Sequence, residues 1–114
     1  MNILYYFPIG SIKRIDMNLL YGIDIINELI ERHPEWNFIK ADGSVPRETL
    51  YGNIDILLRP TRHDGYSRMI VEAQLKRIPV IWSYLSGEYI EPKIEDIEKQ
   101  LENIAKDLEG KTTI

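Results

Sequence analysis

The 114 residues are 44% apolar, enough for one core and one domain, and the absence of cysteine excludes a disulfide framework, a thiolate metal site and a thiol nucleophile. The net charge of −4 lies wholly in residues 88–114, which carry eight acids and four lysines, while residues 1–87 are balanced. The acidity therefore belongs to a solvated C-terminal helix, and no basic stripe marks nucleic acid as the main partner.

No apolar stretch approaches the ~20 residues of a membrane span, and no basic segment precedes an apolar one at the N-terminus. The expected setting is cytoplasmic, with no transmembrane segment. With only His33 and His63 as imidazoles, a histidine-rich metal site is not expected.

Asn2 to Phe7 is a short apolar run bounded by Pro8 and Gly10, and it reads as a buried strand. A loop carrying Lys13 and Arg14 follows. Asp16 is the expected N-cap of a helix through Arg32, with Leu19, Leu20, Ile23, Ile26, Leu29 and Ile30 at helical spacing. His33-Pro34 ends it, because the residue before proline avoids the helical region. Trp36 to Ala41 is a second strand, closed by an Asp42-Gly43 turn. Pro46 then opens one or two turns of helix.

Asn53 to Leu58 is the third strand and Ile78 to Trp82 the fourth. Between them a helix over residues 65–76 turns Met69, Ile70, Ala73 and Leu75 inward. Pro92 opens the last helix, amphipathic through Leu108, with Gly110 as its expected stop. The domain is assigned to residues 1–110, with 111–114 as a tail.

Strands alternating with helices predict an α/β fold: a Rossmann-like, doubly wound parallel sheet of about four strands. Such sheets bind ligands at the carboxyl ends of their strands, which directs attention to the loops after Phe7, Ala41, Leu58 and Trp82. The third of these, residues 59–67, carries Arg59, Arg62 and His63 and enters a helix at Gly65. Free N–H groups at a helix start, beside a glycine, form an anion site that Arg59, Arg62 and Arg68 reinforce. His63 is a candidate proton donor or acceptor, and Tyr5, Tyr6, Tyr51, Tyr66, Tyr84 and Tyr89 are candidates for a base-stacking face. Glu72, set among Met69, Ile70, Val71 and Ala73, needs partners if it is buried.

Residues 54–82 carry, in order, Ile54-Asp55, Pro60-Thr61, Asp64-Gly65-Tyr66-Ser67, Glu72-Ala73 and Ile78-Pro79-Val80-Ile81. This series resembles the signature of the retaining GT-B glycosyltransferases that use nucleotide sugars: Glu-Gly-Phe-Gly, an apolar helix with Glu-Ala, then Gly-x-Pro-Val-Ile. Asp64 and Glu72 stand at the two positions of the family's Glu-x7-Glu motif. Tyr21-Gly22 and Ser86-Gly87 extend the likeness on either side, with Tyr21 where the family has a phosphate-binding lysine.

The resemblance implies the donor-binding domain of such an enzyme, with a nucleotide-sugar donor and an unknown acceptor. It implies that Glu72 holds the donor ribose and Asp64 meets the transferred sugar. The backbone of Gly65, Tyr66 and Ser67 would face the diphosphate, aided by Arg62 and by Gly10, Lys13 and Arg14 of the first loop. It implies no cofactor and no metal, and an N-terminal acceptor domain outside these 114 residues. The alternative reading is a catalytically silent module that binds a nucleotide, another phosphorylated ligand or a protein partner.

Overall fold

The computed structural model of the chain describes residues 1–7, 19–63 and 67–112. Four strands form one sheet: β1 (Asn2–Tyr6), β2 (Asn37–Ala41), β3 (Ile56–Arg59) and β4 (Val80–Trp82). Their spatial order is β2-β1-β3-β4 and every pairing is parallel. Among the described residues four helices with given bounds alternate with them: α1 (Ile23–Arg32), α2 (Arg47–Tyr51), α3 (Arg68–Leu75) and α4 (Ile94–Thr112). The fold is the expected single Rossmann-like α/β domain.

Because successive side chains leave a strand on opposite sides, an apolar strand feeds two cores. Ile3, Ile56, Leu58 and Ile81 enter one core with Ile26 and Leu29 of α1 and Ile97 and Leu101 of α4. Leu4, Leu57 and Ala41 enter the other with Tyr51 of α2 and Met69, Ile70 and Ala73 of α3. The central strands β1 and β3 are the most deeply covered, and their register sets Leu4 beside Leu57. Asp55, just ahead of β3, accepts the backbone N–H of Asn2 at 2.6 Å and ties the amino ends of these strands together.

Several boundaries differ from the sequence reading. The helix expected from Asp16 is interrupted at Tyr21-Gly22, and α1 begins only at Ile23. Gly22 has φ 71°, and an added Cβ would lie 2.1 Å from the carbonyl oxygen of Pro60. The loop after β3 therefore crosses too close for a continuous helix with side chains there. Asp16 itself lies outside the described residues. Leu75 does not turn inward: it is 79% exposed at the last turn of α3. Gly110 does not end α4, which runs on to Thr112, because a helix with an apolar face already docked tolerates one glycine near its end. The Asp42-Gly43 turn forms as expected, with Gly43 at φ 93° and Asp42 accepting the Ser44 N–H at 2.9 Å.

Candidate functional site at the carboxyl edge of the sheet

The chain leaves β1 for β2 on one side and returns to β3 on the other. In the order β2-β1-β3-β4 the winding therefore reverses between β1 and β3, the position at which open α/β sheets bind ligands. The structure has a recess of about 150 Å³ there, lined by Tyr6, Arg47, Arg59, Ser67, Arg68 and Met69.

Each wall has a local cause. Tyr6 and Arg59 are the last residues of β1 and β3, so their side chains stand at the sheet rim. Arg59 is only 8% exposed; its guanidinium lies 4.9 Å from the Tyr6 ring centroid, and Nη1 approaches Met69 Sδ at 3.9 Å. Cation–π contact of this kind lets a charge sit among apolar groups. Ser67 is the N-cap of α3, its Oγ accepting the Ile70 N–H at 3.4 Å. This leaves the positive end of α3 directed at the recess. Arg68 opens that helix and Arg47 opens α2, so three guanidinium groups converge on one opening.

Glu72 lies one helical turn further along α3. Its Oε1 accepts from Arg47 Nε at 2.9 Å and from the Tyr51 hydroxyl at 3.0 Å, and its side chain is 25% exposed. The partners that a carboxylate requires at this position thus come from α2. The Arg47 bond holds the Glu72 carboxyl below its ordinary range, and burial together with the Glu72 charge pushes the Tyr51 hydroxyl well up. Glu72 is therefore ionised at neutral pH, and Tyr51 is a fixed donor.

Arg62 is elsewhere. Its Nη1 and Nη2 donate to the two carboxylate oxygens of Asp24, both at 2.8 Å, and Nη1 also reaches the Leu19 carbonyl at 2.6 Å. The bidentate bond to Asp24 raises the guanidinium further and fixes its orientation. Arg62 thus braces the loop after β3 against the start of α1, away from the arginine recess. An anion at Arg62 would have to compete with Asp24.

Of the residues singled out in the sequence, Tyr6, Arg59, Ser67 and Arg68 line the recess, and Glu72 neighbours it through Arg47. His63 is exposed on the loop after β3. Gly10, Lys13, Arg14, Asp64, Gly65 and Tyr66 lie outside the described residues. The sequence reading missed Arg47 as part of this site. Arg47 read as a helix-start residue, and its bond to Glu72 spans 25 positions that no local pattern links.

No known family matches the chain, and neither does any curated protein or solved structure. Among the described residues no helix is long and apolar enough to cross a membrane.

Proposed function

We propose that this chain is the donor-binding domain of a retaining glycosyltransferase of the GT-B type, with the arginine recess receiving the diphosphate of a nucleotide sugar. The observation that carries the reading is the convergence of Arg47, Arg59, Arg68 and the start of α3 at the point where the sheet's winding reverses. A second observation supports it. Arg77 follows α3 with φ 59°, at the place where the GT-B signature has the glycine of Gly-x-Pro-Val-Ile.

The chemistry follows from charge. Transfer releases a nucleoside diphosphate, and guanidinium groups with a helix N-terminus stabilise the charge that develops on it. In this reading the arginines supply that stabilisation and no metal is called for. Glu72, ionised and oriented by Arg47 and Tyr51, accepts hydrogen bonds from the ribose diol. Asp64 holds a hydroxyl of the transferred sugar.

Calorimetric titration with inorganic pyrophosphate, nucleoside diphosphates and their sugars tests this. Arg68→Gln should weaken all three classes by roughly tenfold to a hundredfold, the worth of one or two charge-assisted bonds. Glu72→Ala should weaken only the nucleoside-containing ligands, since pyrophosphate has no ribose. Wild-type binding by Arg68→Gln would remove the basis of the proposal.

A second reading, a silent module for phosphorylated ligands, draws on one fact: Arg47 and Tyr51 already engage Glu72. It predicts that Glu72→Ala leaves every ligand's affinity unchanged.

A further inference from the structure

Outside the arginine recess, one cluster of side chains offers the donor set of a metal site. His33, Glu98 and Glu102 each present one ligand atom, and the three atoms lie within 4.8 Å of one another. His33 caps the carboxyl end of α1 just before β2, so the cluster sits at the amino ends of the strands, at the opposite edge from the recess. Glu98 and Glu102 are one turn apart on α4 and share a face.

The imidazole is already oriented as a metal ligand requires. Its Nδ1 meets Glu35 at 2.9 Å, and its ring stacks on Trp36 with centroids 3.8 Å apart and planes 8° from parallel. A carboxylate on the far nitrogen of a ligating histidine fixes the ring and makes it a better donor to the ion. Nε2 is thereby turned to Glu98 Oε2, at 2.8 Å. A neutral imidazole has one N–H and satisfies only one of these two carboxylates, leaving a lone pair facing an oxygen of the other. A cation shared between them resolves that contact. Arg32 does not take this place: it approaches Glu98 through the other oxygen, Oε1, at 3.4 Å, and bonds Glu28 more closely at 2.8 Å. Glu102 is exposed and takes no part in these bonds.

The donor chemistry selects the ion. One imidazole nitrogen with two carboxylates suits zinc and its neighbours in the transition series, whereas magnesium and calcium prefer oxygen alone. Ligand bonds of about 2.0–2.2 Å draw the three atoms slightly inward, which a turn of the exposed Glu102 side chain accomplishes. We propose that His33, Glu98 and Glu102 bind one zinc-type divalent ion, with Glu35 orienting the imidazole and water completing the shell. The ion clamps α1 to α4. The site is independent of the donor reading, whose residues lie at the other edge of the sheet and whose chemistry uses no metal.

The test is calorimetric titration of the whole chain, first stripped with a chelator, with zinc, cobalt(II), magnesium and calcium at neutral pH. Zinc should saturate at one ion per chain and raise the melting temperature. Cobalt should develop the visible absorption of a low-coordinate ion, and the His33 ring should shift at Nε2 in nitrogen NMR. His33→Gln and Glu102→Gln should each abolish one-to-one zinc binding. Glu102→Gln, at an exposed position, should leave the metal-free melting temperature unchanged, which separates ligand loss from loss of fold. Glu35→Ala should weaken zinc by about tenfold to a hundredfold. Wild-type zinc affinity in any of these variants overturns the proposal. So does failure to saturate at one ion per chain, or displacement of zinc by equimolar magnesium.

Discussion

Gly22 and Arg77 show how much can rest on one backbone angle. Gly22, at φ 71°, faces the Pro60 carbonyl so closely that a methyl group has no space. Gly22→Ala combines the left-handed penalty of about 1–2 kcal/mol with an overlap worth about 1–3 kcal/mol more. Chemical denaturation should show a loss of roughly 2–5 kcal/mol. Arg77 is the converse case, a residue with a side chain where glycine fits better. Its N–H bonds the Gln74 carbonyl at 3.1 Å and the next N–H bonds Ala73 at 2.9 Å, the pattern of a left-handed helix stop. Arg77→Gly should relieve about 1–2 kcal/mol of strain against about 0.4–1 kcal/mol of added chain entropy. A net gain of up to about 1.6 kcal/mol is expected in the same denaturation experiment. Neither angle was legible in the sequence, since Gly22 read as an interior helix residue and Arg77 lay just beyond the expected end of one. Glu72 was half legible: its need for partners followed from its apolar neighbours, but Arg47 and Tyr51 are distant in sequence.

At the scale of elements, the contact between α1 and α4 depends on charge. Glu98 of α4 accepts from Arg32 at 3.4 Å and bonds His33 Nε2 at 2.8 Å. The other ring nitrogen of His33 meets Glu35 at 2.9 Å, and its face stacks on Trp36 at 3.8 Å. Glu102 lies close to the same group. Burial pulls the imidazole down, but the bonds and charges of Glu98 and Glu35 outweigh it, and the net shift is upward from 6.5. A folded-state value above the unfolded one means that the contribution is complete below pH 6.5 and fades as pH rises through the folded value. Thermal melts from pH 5 to 9 should show wild type more stable than His33→Gln at the acid end, with the gap closing on the alkaline side. A gap that widens with pH would contradict this arrangement. The periodicity that located α1 and α4 says nothing of such a clasp, which depends on how two faces 65 residues apart are brought together. The helix ends were also poorly legible: Pro34 marked one correctly, whereas Gly110 did not.

At the scale of the whole molecule, the sheet was the most legible feature, because strands buried on both faces are written as continuous apolar runs. Leu58 belongs to that record: it is fully buried in β3, pairing with Tyr5 and Ile81. Leu58→Ala should cost about 2–5 kcal/mol by leaving a cavity, a large part of a typical domain's total of about 5–15 kcal/mol. Urea denaturation with an unchanged slope would give that value. Strand order was less legible, since β/α alternation fits several orders, and only the observed one sets the reversal between β1 and β3. The carboxyl-edge location of the recess was foreseen from fold class, its guanidinium lining only in part.

The β4 rim has a consequence for behaviour at high concentration. An outer strand is a template on which another chain can add, and long flat apolar ones seed fibrils. β4 offers three residues, Val80 to Trp82. Pro79 before it has no N–H to donate, and the Ile90 N–H already occupies the Ser83 carbonyl beyond it. A strand that short, closed at both ends, gives an incoming chain too few bonds to hold. The native domain should therefore resist fibril growth on this side, leaving unfolding as the route by which its apolar runs become sticky.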